Sequence, residues 1–384
     1  MHLLRVTAAL LVVYSHFASS AGPHLPFAFG TCGVDVFFVI IVFGCSEKPD
    51  TFFILRLLRI GSFYQRESVY LNYWGIRTMN WRLKGITQKI LSTVPGGVSL
   101  NDLLQRGVGG LRDFPEHVAS RVIDDWIVFA SYMKELGVGL AGLSYMEIGT
   151  GWVPILPVCY ALAGARSVAT FDLNRHLNAR LTLRMVALLE PLLPSISKAG
   201  GQPLSVVEAA FADLRASTTT GELYRRARID YRAPANAALS GLPDESVDVV
   251  FSNNVLEHVP GPDIVRMMHE SHRILRRGGL AIHCVNPGDH YAYFDRSITA
   301  INYLTYSDRQ WAFWNNRLLY QNRLRPVDFI RMTKDAGFDI VLQRNRPRAE
   351  LLSKLPQMNI ASDFDRYPPE ELCCTSIGFV ARKP

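Results

Sequence analysis

Long apolar segments are scarce in this sequence of 384 residues, although 48% of its residues are hydrophobic. A membrane-spanning helix needs about 20 consecutive apolar residues, and no segment after residue 60 approaches that length. The sequence therefore predicts a globular chain rather than one with many membrane-spanning helices. Its length allows two ordinary domains and a sizeable core.

Cysteine is also sparse. None of the six cysteines forms a C-x-x-C pair, and no histidine is spaced from them as in a zinc site. Reduced thiols and a cytoplasmic catalytic portion are expected. The formal net charge of +7 is mild, and the arginine-rich residues 54–60 and 223–228 are typical of solvated helix faces. An anionic membrane surface or substrate is the alternative partner for them.

The first 60 residues contain three short apolar runs, residues 6–14, 34–43 and 52–58. The first can span a bilayer only if its helix continues past His16. A signal peptide that ends in small residues is one alternative. A buried amphipathic hairpin is another.

Arg5 and His16 are followed by residues 33–40 and 53–60. This order resembles the start of the membrane acyltransferase-3 family. That family has many membrane-spanning helices and transfers acyl groups to sugars and other acceptors. The family's arginine–histidine pair would correspond to Arg5 and His16. The family's Ser-Gly-Phe turn and its later helices are absent. We therefore expect residues 1–60 to be a truncated fragment without that activity, which retains the capacity to hold the chain at a membrane.

Residues 61–139 read as a helical extension, and a strand–turn–helix–strand unit follows them. Tyr145 to Ile148 and Ser167 to Phe171 are predicted strands, with the glycine turn Gly149-Thr150-Gly151 and a helix from Ile155 to Ala163 between them. Asp172 ends the second strand. Glycines let a backbone approach a nucleoside closely, and an acid at this place accepts hydrogen bonds from ribose hydroxyls.

The turn Glu147-x-Gly149-x-Gly151 lacks the third glycine of a dinucleotide fingerprint, because Pro154 occupies that place. This argues against NAD-dependent redox chemistry. The turn looks like motif I of class I S-adenosylmethionine-dependent methyltransferases, and residues 236–259 resemble the central block of the type-11 group. The resemblance extends over about residues 140 to 290.

The resemblance implies S-adenosyl-L-methionine as the cofactor. It also implies a Rossmann-like, seven-stranded methyltransferase sheet (an α/β fold) with helices on both faces, in residues 140–384. In the family a short acidic–alanine pair contacts the adenine, and here Asn236 replaces the acid. The cofactor-binding residues implied are Glu147, Gly149, Thr150, Gly151, Asp172, Leu173, Asn236, Ala237 and Asn253.

The last third of the chain carries the remaining elements of this fold. A helix from Ile264 to Leu275, a turn at residues 276–279 and a strand from Leu280 to Val285 are predicted. Residues 338–342 are predicted as strand six, and residues 376–381 as a last strand that forms the antiparallel edge.

The methyl acceptor is expected to be a small molecule rather than a nucleic acid. The strand-four segment lacks the Asn-Pro-Pro-Tyr loop that serves methylation of exocyclic amines, and no RNA-binding module is evident. An aromatic insertion at about residues 287–325 is interpreted as a substrate cover or as a small satellite core. His258 and His290 are candidate catalytic bases, and Asp289 stands beside the latter.

Two other functions remain open at this point. One is a membrane-anchored O-acyltransferase of sugars, which the missing helices disfavour. The other is a non-catalytic binding protein on a methyltransferase fold, which the complete set of Gly149, Gly151 and Asp172 disfavours. The oligomeric state is not predicted.

Overall fold

The computed structural model describes residues 80–94 and 114–384. The chain divides into two compact units. Among the described residues, the smaller unit contains residues 80–94, 289–302 and 306–319, and the larger contains residues 114–288, 303–305 and 320–384.

Helices and strands alternate through most of the larger unit. The α-helices of the described chain are α1 Trp81–Thr93, α2 Phe114–Ser120, α3 Ile127–Glu135, α4 Ile155–Leu162, α5 Ala179–Leu188, α6 Leu193–Gly200, α7 Leu204–Arg215, α8 Thr220–Ala227, α9 Gly261–Ile274, α10 Asp308–Trp314, α11 Pro326–Asp335, α12 Ala349–Lys354 and α13 Pro369–Leu372. A π-helical turn, Arg121–Trp126, joins α2 to α3. The strands are β1 Ser144–Ile148, β2 Ser167–Phe171, β3 Ile229–Arg232, β4 Val247–Asn253, β5 Leu275–Val285, β6 Asp339–Pro347 and β7 Cys374–Arg382.

Short 3-10 turns fill several connections. They are Glu190–Leu192, Ala237–Leu239, Leu256–His258, His290–Tyr293, Asn302–Thr305, Leu355–Gln357 and Ser362–Phe364.

The seven strands form one sheet in the order β3-β2-β1-β4-β5-β7-β6. The pairs from β3 to β5 are parallel, whereas β7 runs antiparallel to both β5 and β6. The strand order reverses direction between β1 and β4, where Ile148 pairs with Ser252. This arrangement confirms the Rossmann-like methyltransferase sheet predicted from the sequence.

Apolar side chains cover both faces of the sheet, because alternate residues of a strand point to opposite sides. On β5, Leu280 and Ile282 join the cluster under α3, α4 and α6, while Ala281 and Val285 join the cluster under α9 and α11. Parallel strands buried on both faces need helices on both sides. The core therefore holds the carboxyl ends of β1, β2 and β4 in a fixed relation.

Two details of the predicted sheet were wrong. The last strand, β7, is not the edge, because β6 lies outside it. The predicted turn at residues 276–279 does not start β5 but interrupts it. Leu275 pairs with Val247 and Leu280 with Val249, so these four residues bulge opposite Asp248. An ion pair of 2.6 Å between Arg276 and Asp248 holds the bulge.

The smaller unit contains the aromatic residues of the predicted insertion. The Trp81 ring lies 4.7 Å from that of Trp314 and 5.4 Å from that of Tyr291. The Trp81 backbone N–H donates to Asp295 Oδ2 at 3.0 Å. These contacts are those of a small aromatic core, which was one of the two interpretations of this segment.

Residues 1–60, which carry the acyltransferase resemblance and the predicted membrane contact, lie outside the described residues. Within residues 80–94 and 114–384, no helix is both long enough and apolar enough to cross a bilayer.

Candidate functional site

The glycine turn after β1 has a backbone that only glycine adopts readily. Gly149 and Gly151 have φ angles of +85° and +70°. A Cβ atom on Gly149 would lie 2.4 Å from Val255 Cγ2, so this residue also permits close packing against the segment after β4. A Cβ on Gly151 would meet nothing within 4 Å. The turn therefore has open space beside its second glycine.

Asp172 joins the ends of β1 and β2. One carboxylate oxygen accepts from the Gly151 N–H at 2.9 Å, and the other accepts from the Asn174 N–H at 3.0 Å. Each carboxylate oxygen can accept a further bond. The side chain of the next residue, Leu173, is 58% exposed. The structure thus brings together the predicted acid, the glycine turn and an exposed apolar side chain.

Glu147 and Thr150 form a hydrogen-bonded chain beneath this turn. The Thr170 hydroxyl donates to Glu147 at 2.5 Å, and the Thr150 and Thr170 hydroxyl oxygens also lie 2.5 Å apart. Burial raises the pKa of Glu147 to about 8, although the bond from Thr170 opposes the shift. The chain fixes the turn through the neighbouring strand.

Asn236 and Ala237 lie next to Asp172 through the backbone, because the Ala235 N–H donates to the Asp172 carbonyl at 2.8 Å. The Asn236 side chain accepts from the Ala238 N–H at 2.9 Å and so caps a 3-10 turn. Its exposed side chain leaves the amide group accessible to a ligand. Asparagine at this position retains the capping ability of the aspartate expected there.

Asn253 ends β4 and is buried. Burial raises the pKa of Asp125, against the opposing effects of the Arg121 charge and of the nearby Asn253 side chain. Asp125 also forms an ion pair of 2.6 Å with Arg121, four residues earlier in the π-helical turn. Such turns often occur at functional sites.

The two predicted histidines occupy different units. The His258 Nδ1–H donates to the Tyr320 carbonyl at 2.7 Å, and burial lowers the pKa of His258. That bond fixes the neutral tautomer with its proton on Nδ1. His290 lies in the smaller unit, where its ring packs 5.2 Å from that of Tyr293. Asp289 caps the same turn by accepting from the Tyr291 N–H at 2.9 Å.

Sequence reasoning missed Glu257. Its side chain is only 2% exposed, and neither carboxylate oxygen has a hydrogen-bond partner of ordinary geometry. Burial raises the pKa of Glu257 to about 8, against the opposing effects of the backbone N–H groups of Glu257 and Asn286 and of Arg121. The available signal was a glutamate four residues after the end of an apolar strand.

Part of the chain matches one known protein family. Residues 200–283 match the methyltransferase-domain family. No curated protein sequence matches this chain. The family match agrees with the cofactor predicted from the sequence, S-adenosylmethionine, and it gives no support to the acyltransferase resemblance of residues 1–60.

Many solved structures are similar in part. An S-adenosylmethionine-dependent methyltransferase from Mesorhizobium loti is 17% identical, covers 66% of this chain and 96% of its own, and has a TM-score of 0.37. Geranyl diphosphate C-methyltransferase from Streptomyces coelicolor is 12% identical, with coverages of 72% and 87% and a TM-score of 0.38. Magnesium protoporphyrin IX methyltransferase from Synechocystis is 14% identical, with coverages of 78% and 100% and a TM-score of 0.39. Similarity at this level carries no inference about the acceptor.

Proposed function

We propose that this protein transfers a methyl group from S-adenosylmethionine to a small-molecule acceptor. The observation that carries the proposal is the Asp172 carboxylate, whose oxygens meet the Gly151 and Asn174 N–H groups beside the reversal of strand order. Ligands of open α/β sheets bind outside the carboxyl ends of the strands at such a reversal. An acid directly after β2 would accept hydrogen bonds from the ribose hydroxyls of such a ligand.

The other predicted residues fit a nucleoside ligand around Asp172. The open side of Gly151 leaves room for a ligand to approach the backbone, and Leu173 offers exposed apolar surface. Asn236 and Ala237, one and two residues after the contact with Asp172, would meet the adenine edge. Glu147 and Thr150 would stabilise the glycine turn through their hydrogen bonds with Thr170.

When bound, the cofactor supplies an electrophilic methyl group on a positively charged sulfur, so the chemistry demands little of the protein. The side chains at the ends of β1 and β4 must align an acceptor with that methyl group and exclude water. Asn253 and Glu257 lie on the β4 side of the reversal, opposite the ribose position at Asp172. We assign this activity to a catalytic domain of residues 140–384, with an insertion at about 287–325.

A small acceptor is supported by the segment that follows β4. Asn254 and Val255 stand where an Asn-Pro-Pro-Tyr loop would serve amino groups of bases. Asn254 has a φ angle of +53°, so the chain bends directly after β4, and its N–H donates to the Cys284 carbonyl of β5 at 2.8 Å.

The test is calorimetric titration of the full chain with S-adenosylhomocysteine, beside the variant Asp172→Ala. We expect micromolar affinity that falls by at least about tenfold in the variant, since a carboxylate hydrogen bond contributes roughly 1.5–3 kcal/mol. Asp335→Ala is the matched control, because Asp335 is exposed at the end of α11.

Absence of binding to the folded full chain would overturn the proposal. Equal loss of affinity in both variants would overturn the assignment of Asp172. Where binding is specific, incubation with S-adenosylmethionine labelled in the methyl group and pools of small hydroxyl, carboxyl and amine compounds identifies the acceptor.

A further inference from the structure

The Glu257 carboxylate is buried, and neither of its oxygens has a hydrogen-bond partner of ordinary geometry. The backbone N–H groups of Glu257 and Asn286 favour its charged form, but burial outweighs their effect. Other buried acids in the larger unit are bound through their oxygens: Glu147 by Thr170, and Asp328 by the Arg325 N–H and Tyr367. Burying a carboxylate without hydrogen bonds costs free energy. A catalytic role is one of the explanations for such a group, beside strain and a bound water or ion.

The backbone that carries Glu257 is firmly held. The Asn322 side chain donates to the Leu256 carbonyl at 2.6 Å and to the Val259 carbonyl at 2.8 Å. The Asn322 N–H donates to the Glu257 carbonyl at 3.0 Å. These bonds hold the main chain of the 3-10 turn, and none of them involves the Glu257 carboxylate.

The position of this turn relates it to the proposed cofactor site. Val255, at its start, packs against Gly149 of the turn after β1. Arg121 acts electrostatically on both Glu147 and Glu257. A ligand whose ribose lies at Asp172 on β2 and which crosses β1 at its glycine turn would bring its far end to β4. Glu257 lies four residues after the end of that strand.

We propose that the Glu257 carboxylate faces the methyl-transfer centre and accepts the proton released by the methyl acceptor, an inference that rests on the proposed function. The acceptor atom forms its bond to the methyl carbon as the carbon–sulfur bond breaks, and that electron pair stays on sulfur. The proton leaves the acceptor atom for a Glu257 oxygen. The acceptor class that fits is one with an ionisable O–H or N–H group.

The positive charge of Arg121 does not prevent Glu257 from accepting a proton. Its guanidinium is paired with Asp125 at 2.6 Å, and its effect on Glu257 is smaller than that of burial. A carboxyl whose pKa lies near neutrality can both take and release a proton during turnover.

The proposal can be tested before the acceptor is known by using two cofactor analogues. Sinefungin carries a protonated amine where the methyl group would be, whereas S-adenosylhomocysteine has no group there. A carboxylate that faces this position should bind the amine by a charge-assisted hydrogen bond. The measurement is the ratio of the two dissociation constants, by calorimetry, in the full chain.

We expect the wild-type chain to prefer sinefungin and the variant Glu257→Gln to lose about tenfold of that preference, with its affinity for S-adenosylhomocysteine unchanged. Glu208→Gln, exposed on α7, is the matched control and should keep the wild-type ratio. Glu257→Asp keeps the charge but withdraws it by about 1.5 Å. It should give an intermediate ratio, and it decides the test if the glutamine variant does not fold.

The inference would be overturned if Glu257→Gln or Glu257→Asp bound S-adenosylhomocysteine tightly and kept the wild-type ratio of the two dissociation constants. That outcome would leave the proposed function intact. A wild-type chain that binds neither analogue would overturn the proposed function itself.

Discussion

The Asp172 carboxylate accepts a hydrogen bond of 2.9 Å from the backbone N–H of Gly151. This single contact joins the ends of two adjacent parallel strands, because Gly151 follows β1 and Asp172 follows β2. It shapes the turn and fixes the orientation of the carboxylate. In the proposed function the same side chain would also bind the ligand, so a substitution must be chosen that separates the two roles.

Asp172→Asn makes that separation. The asparagine oxygen can still accept from Gly151, and the Asn174 N–H, which loses its acceptor, is exposed to water, so we expect the thermal midpoint to fall only slightly. The charge and one acceptor are lost, so affinity for S-adenosylhomocysteine should fall about tenfold. Calorimetry and thermal unfolding on the same samples check both parts. A fall in the midpoint that accounts for the lost affinity would instead assign Asp172 a structural role.

The two glycines of the turn should differ in their tolerance of alanine. Gly149→Ala combines a φ angle of +85° with a Cβ atom 2.4 Å from Val255, and we expect it to lower the free energy of unfolding by about 3 kcal/mol or more. Gly151→Ala has the backbone strain alone, about 1 kcal/mol. Urea unfolding of both variants gives the comparison, and equal losses would contradict the packing argument.

The stability of the chain should depend on pH through Glu147 and Glu257. Burial raises the pKa of each to about 8 in the folded state, whereas the unfolded chain releases these protons near pH 4.3. The folded state therefore binds more protons between those values, and the free energy of unfolding falls as the pH rises from about 4 to about 8.

The double variant Glu147→Gln, Glu257→Gln should show a smaller fall across this range. Urea unfolding at about pH 5.5 and about pH 8.5 measures it. We expect the variant to gain on the order of 2 kcal/mol per site over the wild type at the higher pH, with a much smaller difference at the lower pH. Parallel pH profiles for the two proteins would show that the carboxyls are not buried as described.

His258 should contribute to stability through its bond to the Tyr320 carbonyl, 2.7 Å from Nδ1. Asparagine places an N–H close to the Nδ1 position, so His258→Asn should keep most of this bond. His258→Ala should lose about 1–2 kcal/mol. Neither change should alter affinity for S-adenosylhomocysteine by more than about twofold. A large loss of that affinity in His258→Asn would place the imidazole at the cofactor instead.

Much of the fold was predictable because its signals are local. The strand from Ser167 to Phe171 was predicted to the residue, and the glycine turn with Asp172 follows from sequence alone. The exchange of β6 and β7 at the sheet edge was not, since strand order there depends on distant pairing. Glu257 was missed for a similar reason. Its burial and its lack of a hydrogen-bond partner of ordinary geometry are properties of the folded chain, and no spacing rule reports them.

A substitution at Asn236 tests whether this residue contacts the adenine of the cofactor. Asp at this place would still cap the Ala238 N–H, now held at 2.9 Å by the asparagine oxygen, so Asn236→Asp should fold as stably as the wild type. The added carboxylate can accept from the amino group of adenine, and we expect affinity for S-adenosylhomocysteine to rise by about twofold to fivefold. The inosine analogue of S-adenosylhomocysteine carries a carbonyl oxygen in place of that amino group. We therefore expect Asn236→Asp to bind this analogue more weakly than the wild type does. Titration of both ligands measures the opposite shifts, and a common shift for the two would contradict contact between residue 236 and the base.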